Sequence, residues 1–158
     1  MATAWGPGQG RIDTAIRCRR RPGRRACPGR LHVEHTEADD IRWSCPRCDD
    51  NGFIAGWAGS AWDRSGLPLP GADAVDVVLD EPEYDVVEEA HVLDPEAYGI
   101  VLRARSTPRG IVLTGDEEPM EALRDHVAAE ANHQRRRPRQ RLLDLAYEAI
   151  AEALGWTA

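Results

Sequence analysis

The most informative segment of this chain is Ile41-Arg-Trp-Ser-Cys45-Pro-Arg-Cys48-Asp-Asp-Asn-Gly-Phe-Ile54. Strand-like residues lead into Cys45 and an apolar pair closes the stretch, which predicts a β-hairpin with Cys45 and Cys48 in its turn. Two thiols on one tight turn make half of a tetrahedral metal site. We expect Cys18 and Cys27 to supply the other two ligands. The pattern therefore predicts a structural Zn²⁺ site whose four thiolates leave no open position for water or substrate.

Residues 18–57 resemble zinc-ribbon modules, which pair two cysteine knuckles across short β-hairpins. The best match is Cys45-Pro-Arg-Cys48. Eight residues separate Cys18 from Cys27, where the usual ribbon has a second short knuckle, and Asp49 stands where ribbons usually carry glycine. The arrangement is also similar to that of small bacterial proteins of unknown function with an Arg-Pro-Gly-rich loop before a Trp-x-Cys-Pro-x-Cys hairpin. The resemblance implies a structural zinc site and no activity.

Two other interpretations of the cysteines stay open at this point. Four thiols can form disulfides in three connectivities, an arrangement typical of secreted proteins, but no secretory signal is visible in the first thirty residues. Cys45 and Cys48 also form a Cys-x-x-Cys pair, which is typical of redox proteins. That chemistry usually occurs in a βαβ context, whereas this pair lies in a predicted hairpin.

The loop between Cys18 and Cys27 carries a concentrated positive charge. It presents five arginines around a Pro-Gly turn: Arg19, Arg20, Arg21, Arg24 and Arg25. The chain as a whole has a formal net charge of −7 and contains no lysine, so the basic charge is unevenly spread. Guanidinium groups suit phosphate or carboxylate, which predicts a nucleic acid or an acidic protein surface as partner. The alternative is that these arginines offset the net charge of a zinc tetrathiolate.

The rest of the chain predicts an α+β fold: a zinc-ribbon-like module in residues 1–66 with a mobile start, then a domain in residues 67–158. The linker near Ser65–Gly71 is rich in proline and glycine. Trp57 and Trp62 are expected to cover the hairpins. In the second domain we expect a strand at 74–79, a turn at 80–83, a hairpin of residues 98–105 with 110–113, and two helices. The expected buried stripes are Met120, Leu123, Val127 and Ala131 in the first helix, and Leu142, Leu145, Ala146, Ala149, Ile150 and Ala153 in the second.

One further constellation suggests chemistry. His126, Glu130 and His133 lie on one face of the first predicted helix, and Glu-x-x-His resembles half of a carboxylate-bridged di-metal motif. We keep a metal-dependent enzyme using these residues as an alternative function, although the sequence offers no second copy. A thiol redox protein using Cys45 and Cys48 is the other alternative. No stretch is apolar enough to span a membrane, and a cytoplasmic location is expected.

Overall fold

The computed structural model describes residues 10–38, 40–60, 69–90, 92 and 94–156. These residues belong to two compact units, one within residues 10–60 and the other within residues 69–156. The architecture is α+β, as predicted, with antiparallel strand pairs and four α-helices in the described part. Residues 1–9, Trp62 and most of the predicted linker lie outside the described residues. None of the described helices is both long and apolar enough to cross a membrane.

The N-terminal unit is built from two β-hairpins joined side by side. Its strands are β1 (Ile12–Arg17), β2 (Arg30–His35), β3 (Ile41–Ser44) and β4 (Asn51–Ile54). Each pairs antiparallel with the next along the chain, β1 with β2, β2 with β3 and β3 with β4. Because the strands alternate in direction, the β1–β2 loop and the β3–β4 loop lie at the same end of the sheet. The predicted hairpin around Cys45 and Cys48 is therefore present, and the arginine-containing loop is its neighbour.

Few apolar side chains are buried in the N-terminal unit. The buried apolar residues described there are Ala15, Cys18, Cys27 and Cys45. Leu31 and Cys48 pack against the cysteines. At the other end of the sheet, Trp57 contacts the buried ring of His35 edge to face, with ring centroids 5.4 Å apart. The interior of this unit is thus largely a cluster of sulfur atoms.

The C-terminal unit has a three-stranded sheet and four helices. Its elements are β5 (Val75–Leu79), α1 (Glu81–Glu88), α2 (Pro95–Leu102), β6 (Arg105–Thr107), β7 (Gly110–Gly115), α3 (Glu117–His133) and α4 (Arg137–Ala153). The central strand β7 pairs with both β5 and β6. Helices α3 and α4 pack on each other, and α4 also packs on β5. Large apolar side chains fill this core, including Leu79, Ile100, Leu113, Leu123 and Ile150.

Helix α3 agrees with its sequence pattern. Asp116 is its N-cap, and Glu117 and Glu118 occupy the first turn, where the helix dipole favours negative charge. The predicted stripe is buried: Met120, Leu123, Val127 and Ala131. The spacing of the apolar residues and the capping residues indicate the same helix, so the sequence alone was sufficient to predict where α3 starts and which face it buries.

Two short helices replace predicted non-helical segments. Residues 80–83 start α1 instead of a turn, because the Asp80 N–H is held by the Glu83 carboxylate and proline is tolerated in a first turn. Residues 98–102 belong to α2 instead of a strand. The Asp94 carboxylate accepts hydrogen bonds from the N–H groups of Glu96 and Ala97, at 3.0 and 2.8 Å, and so starts that helix. The predicted strand of the hairpin is reduced to Arg105–Thr107.

The buried face of α4 differs from the predicted one. Ala146 and Ile150 are buried as expected, but Leu143 is fully buried in place of Leu142, and Leu145 is 39% exposed. Ala151 is also buried, whereas Ala149 and Ala153 are only half-buried. Adjacent leucines in the sequence left the rotation of the helix undetermined, and packing against the sheet and α3 selects Leu143.

Candidate metal centre

The β3–β4 loop holds Cys45 and Cys48 through backbone hydrogen bonds. The N–H of Cys45 donates to the carbonyl of Asp50 at 2.7 Å, and the N–H of Asp49 donates to the carbonyl of Cys45 at 3.0 Å. Asp49 has a φ of 55°, a left-handed conformation that aspartate tolerates better than most residues. The loop thereby turns back on itself and presents both thiols on the side that faces the neighbouring hairpin.

The β1–β2 loop brings Cys18 and Cys27 together although eight residues separate them. The N–H of Cys18 donates to the carbonyl of Gly29, and the N–H of Cys27 donates to the carbonyl of Arg20, both at 2.8 Å. These bonds extend the hairpin beyond its strands and close the base of the loop. The intervening residues bulge outward and include a short 3₁₀ turn at Pro22–Arg24.

Gly29 lies where the two loops meet, and sequence reasoning missed it. A Cβ atom at this position would be 2.5 Å from the Sγ of Cys45 and 2.9 Å from the Cβ of Arg47. The N–H of Gly29 also donates to the Sγ of Cys27 at 3.4 Å. The available signal was its place two residues after Cys27, in Cys27-Pro28-Gly29. Only a residue without a side chain lets the two loops approach this closely.

The four sulfur atoms form a compact group. All of them lie within 4.8 Å of one another, so they can hold a metal ion. Two sulfur–sulfur contacts join different hairpins, at 3.6 Å from Cys18 to Cys48 and 3.7 Å from Cys27 to Cys45. These distances exceed a disulfide bond of about 2.05 Å, and the four cysteines are free. Three of them are buried and Cys48 is half-buried.

The thiol pKa values differ within the group. Burial is the largest influence on Cys45 and opposes ionisation, but the N–H groups of Arg47 and Cys48 and the neighbouring thiols outweigh it and lower its pKa. The N–H of Asp50 favours the Cys48 thiolate, whereas burial and the three other sulfurs together raise the pKa of Cys48 to about 12. Four adjacent thiolates repel one another, and a cation among them removes that penalty.

The five arginines of the β1–β2 loop are exposed. The Nε of Arg20 lies 3.4 Å from the Oδ1 of Asp50, which links this loop to the β3–β4 loop. Gly23 and Arg24 both have positive φ, at 61° and 65°, so the chain reverses sharply at the tip. The loop therefore projects guanidinium groups into solvent next to the cysteine cluster.

His126, Glu130 and His133 lie on α3, as predicted, and the two histidine rings hydrogen-bond to backbone carbonyls. The Nε2 of His126 is 2.9 Å from the carbonyl of Ala90, and the Nδ1 of His133 is 2.7 Å from the carbonyl of Ala129. Within the described residues, the cysteines are the one group of three or more such side chains close enough to share a metal. The enzyme alternative stays a prediction without a second ligand set.

Comparison of this chain with protein-family models, with curated proteins and with solved structures finds no match.

Proposed function

We propose that this protein is a noncatalytic zinc-binding protein of zinc-ribbon type, with Cys18, Cys27, Cys45 and Cys48 as ligands. The sulfur spacing carries the proposal. Four sulfurs placed about 2.3 Å from a central Zn²⁺ at tetrahedral corners are about 3.8 Å apart. The sulfur–sulfur distances of 3.6 Å between Cys18 and Cys48 and 3.7 Å between Cys27 and Cys45 fit that edge length. A tetrahedral set of four sulfurs suits Zn²⁺ or iron, and Zn²⁺ is the ion that such structural sites most often hold.

The site as proposed is structural and does not perform catalysis. Four thiolates complete the coordination of Zn²⁺, so no position is left where water or a substrate could bind. The metal instead fixes the two loops to each other in a unit that buries few large apolar side chains. Thiolate sites persist where thiols stay reduced, and the proposal therefore includes a cytoplasmic setting.

The proposed role of the metal-braced loops is to present the arginine loop, residues 19–25, to an anionic macromolecule, either a nucleic acid or an acidic protein surface. Four of its arginines have no described ion pair, while Arg20 contacts Asp50. Their number and exposure exceed what is needed to offset the net charge of about −2 of a zinc tetrathiolate. A rigid base reduces the conformational entropy that these side chains lose on binding.

The metal content of the purified protein tests the proposed zinc site. We expect one zinc per chain by mass spectrometry of the elements, and loss of that zinc in Cys45→Ser. A site filled by iron would refute the metal identity while keeping the structural role. A metal that survives in Cys45→Ser would favour the helix residues of the enzyme alternative. No metal together with reversible oxidation of Cys45 and Cys48 would favour the redox alternative.

Removal of charge from the arginine loop tests whether that loop binds an anionic macromolecule. We expect the triple variant Arg19→Ala, Arg21→Ala and Arg25→Ala to bind polyanions more weakly than wild type, with a smaller dependence of log affinity on log salt, because phosphate or carboxylate contacts are lost. The matched control is Arg135→Ala, Arg136→Ala and Arg137→Ala, which removes the same charge from exposed positions in the C-terminal unit. Equal binding by both triple variants would refute the loop as the contact surface.

A further inference from the structure

The chain contains a single phenylalanine, and it is exposed. Phe53 lies on β4 with 66% of its surface accessible. It stands opposite Arg42 on β3, which stands opposite Glu34 on β2. Phe53 therefore belongs to the polar face of the four-stranded sheet, because residues in register across paired strands share a face. Core packing does not explain an aromatic ring in that place.

Phe53 borders a groove of about 570 Å³ on this face. The polar residues lining the groove include Arg11, His32, Glu34, Arg42, Ser44 and Asn51. Basic side chains there lie beside carboxylates: Arg42 pairs with Glu34, and the Nε2 of His32 lies 3.3 Å from the Oδ1 of Asp13. The groove thus offers fixed donors and acceptors beside an aromatic ring, with little net charge of its own.

The groove leads to the arginine loop. Cys45, Pro46 and Asp49 line it at the end where the β3–β4 loop begins. Asp50, the next residue along the chain, contacts Arg20 of the arginine loop. A positively charged loop, a polar groove and an exposed aromatic ring are therefore neighbours on one surface of the N-terminal unit.

We propose that this surface binds single-stranded nucleic acid, with an unpaired base stacked on Phe53 and the adjoining phosphates on the arginine loop. The inference rests on the proposed function, since the same loop supplies the charge. A positive track beside an aromatic ring is the combination that single-stranded nucleic acid uses, because every base has a flat face that stacks once it is unpaired. In a duplex the faces are already stacked, and an acidic protein surface would need the arginines without the ring.

Fluorescence anisotropy with the zinc-loaded full chain tests this. The probes are a labelled twelve-nucleotide oligothymidylate, the matching oligouridylate, a duplex of equal length, and polyglutamate. We expect both single strands to bind more tightly than the duplex and polyglutamate. Phe53→Ala should weaken single-strand binding about ten-fold, as loss of one stacked base does. Its salt dependence should be unchanged because no phosphate contact is lost, and Phe53→Trp should restore the affinity.

Ile54→Ala is the matched control, because Ile54 is the next residue on β4, points to the opposite face and is also exposed. Equal single-strand affinity for Phe53→Ala and Ile54→Ala would overturn the stacking proposal. If the arginine-loop variant still loses affinity in that case, the proposed function stands. Duplex binding as tight as single-strand binding would also overturn the inference, and preference for polyglutamate would assign the loop to an acidic protein. If wild type binds none of the probes, both proposals fail.

Discussion

The two units of this chain have different kinds of interior. The C-terminal unit buries large aliphatic side chains such as Leu79, Ile111 and Leu143, contributed by its sheet and helices. In the N-terminal unit the buried apolar residues described are one alanine and three cysteines. A small unit of this kind cannot gain enough from apolar burial to offset the entropy of ordering its chain. We therefore expect the N-terminal unit to depend on the proposed metal for its stability, whereas packing stabilises the C-terminal unit.

Chelation of the proposed metal should have the largest effect of all the tests. We expect a high-affinity chelator to unfold the N-terminal unit, because structural Zn²⁺ contributes on the order of 10 kcal/mol to the folding of such modules. Hydrogen exchange followed by mass spectrometry should show loss of protection in peptides from residues 12–54, with peptides from α3 and α4 unchanged. Retained protection in both units would show that the sulfur cluster is stable without an ion.

Leu143→Ala probes the other interior. Leu143 is fully buried in α4, and its truncation should cost the C-terminal unit about 2–5 kcal/mol through lost burial and a cavity. Chemical denaturation measures this, and zinc content should stay at the wild-type value. Leu145→Ala is the control on the same helix, since Leu145 is 39% exposed and should cost less than about 1 kcal/mol. Loss of zinc in Leu143→Ala would contradict the independence of the two interiors.

Gly29→Ala tests how closely the two cysteine loops of the N-terminal unit must approach each other. Its new Cβ would stand 2.5 Å from the Sγ of Cys45, so the loops must move apart at a cost of about 1–3 kcal/mol. We expect metal affinity to fall about ten-fold or more in competition with a chromogenic chelator. Gly10→Ala serves as control, because no heavy atom of the described residues lies within 4 Å of its added Cβ. An unchanged affinity would mean that the sulfur positions adjust without penalty.

Asp94→Ala should have the smallest effect. Its carboxylate caps α2 through the N–H groups of Glu96 and Ala97, and such caps are worth about 1 kcal/mol. Calorimetry should show a fall of about 4–8 °C in the melting temperature of the C-terminal unit. Asp94→Asn, which keeps an acceptor oxygen, should recover most of the loss. If the melting temperature of the N-terminal unit fell more than that of the C-terminal unit, the role of Asp94 in stabilising the C-terminal unit would be contradicted.

Sequence reasoning succeeded where local pattern and local chemistry agree. The hairpin around Cys45 and Cys48 and the helix that starts after Asp116 each have a turn or cap signal next to a periodic apolar pattern. The cysteine cluster was predictable because Cys45 and Cys48 lie in one turn and Cys18 and Cys27 lie in the loop before the adjoining strand. Pairing of the two neighbouring hairpins brings all four thiols together. The metal identity and the partner stay proposals.

Sequence reasoning failed where the apolar pattern was compatible with two structures. Tyr98-Gly-Ile-Val-Leu102 alternates as a strand would, yet it is helical because the Asp94 cap and Pro95 start a helix just before it. In α4 the adjacent Leu142 and Leu143 allowed two rotations of the helix, and only packing decided between them. Gly29 and the exposed ring of Phe53 depend on contacts across strands, and a single sequence does not give the strand register.

The sulfur contacts run between the two hairpins, and this has a consequence for the order of folding events. Cys18 contacts Cys48 and Cys27 contacts Cys45; these pairs are 30 and 18 residues apart along the chain, and each pair joins different hairpins. Hairpins close locally within microseconds, whereas contacts between distant segments must await a slower search. Either hairpin alone offers an ion two ligands. We therefore expect tight binding of the proposed ion to follow the pairing of β2 and β3, so that its rate reports the encounter of the two hairpins rather than the formation of either one.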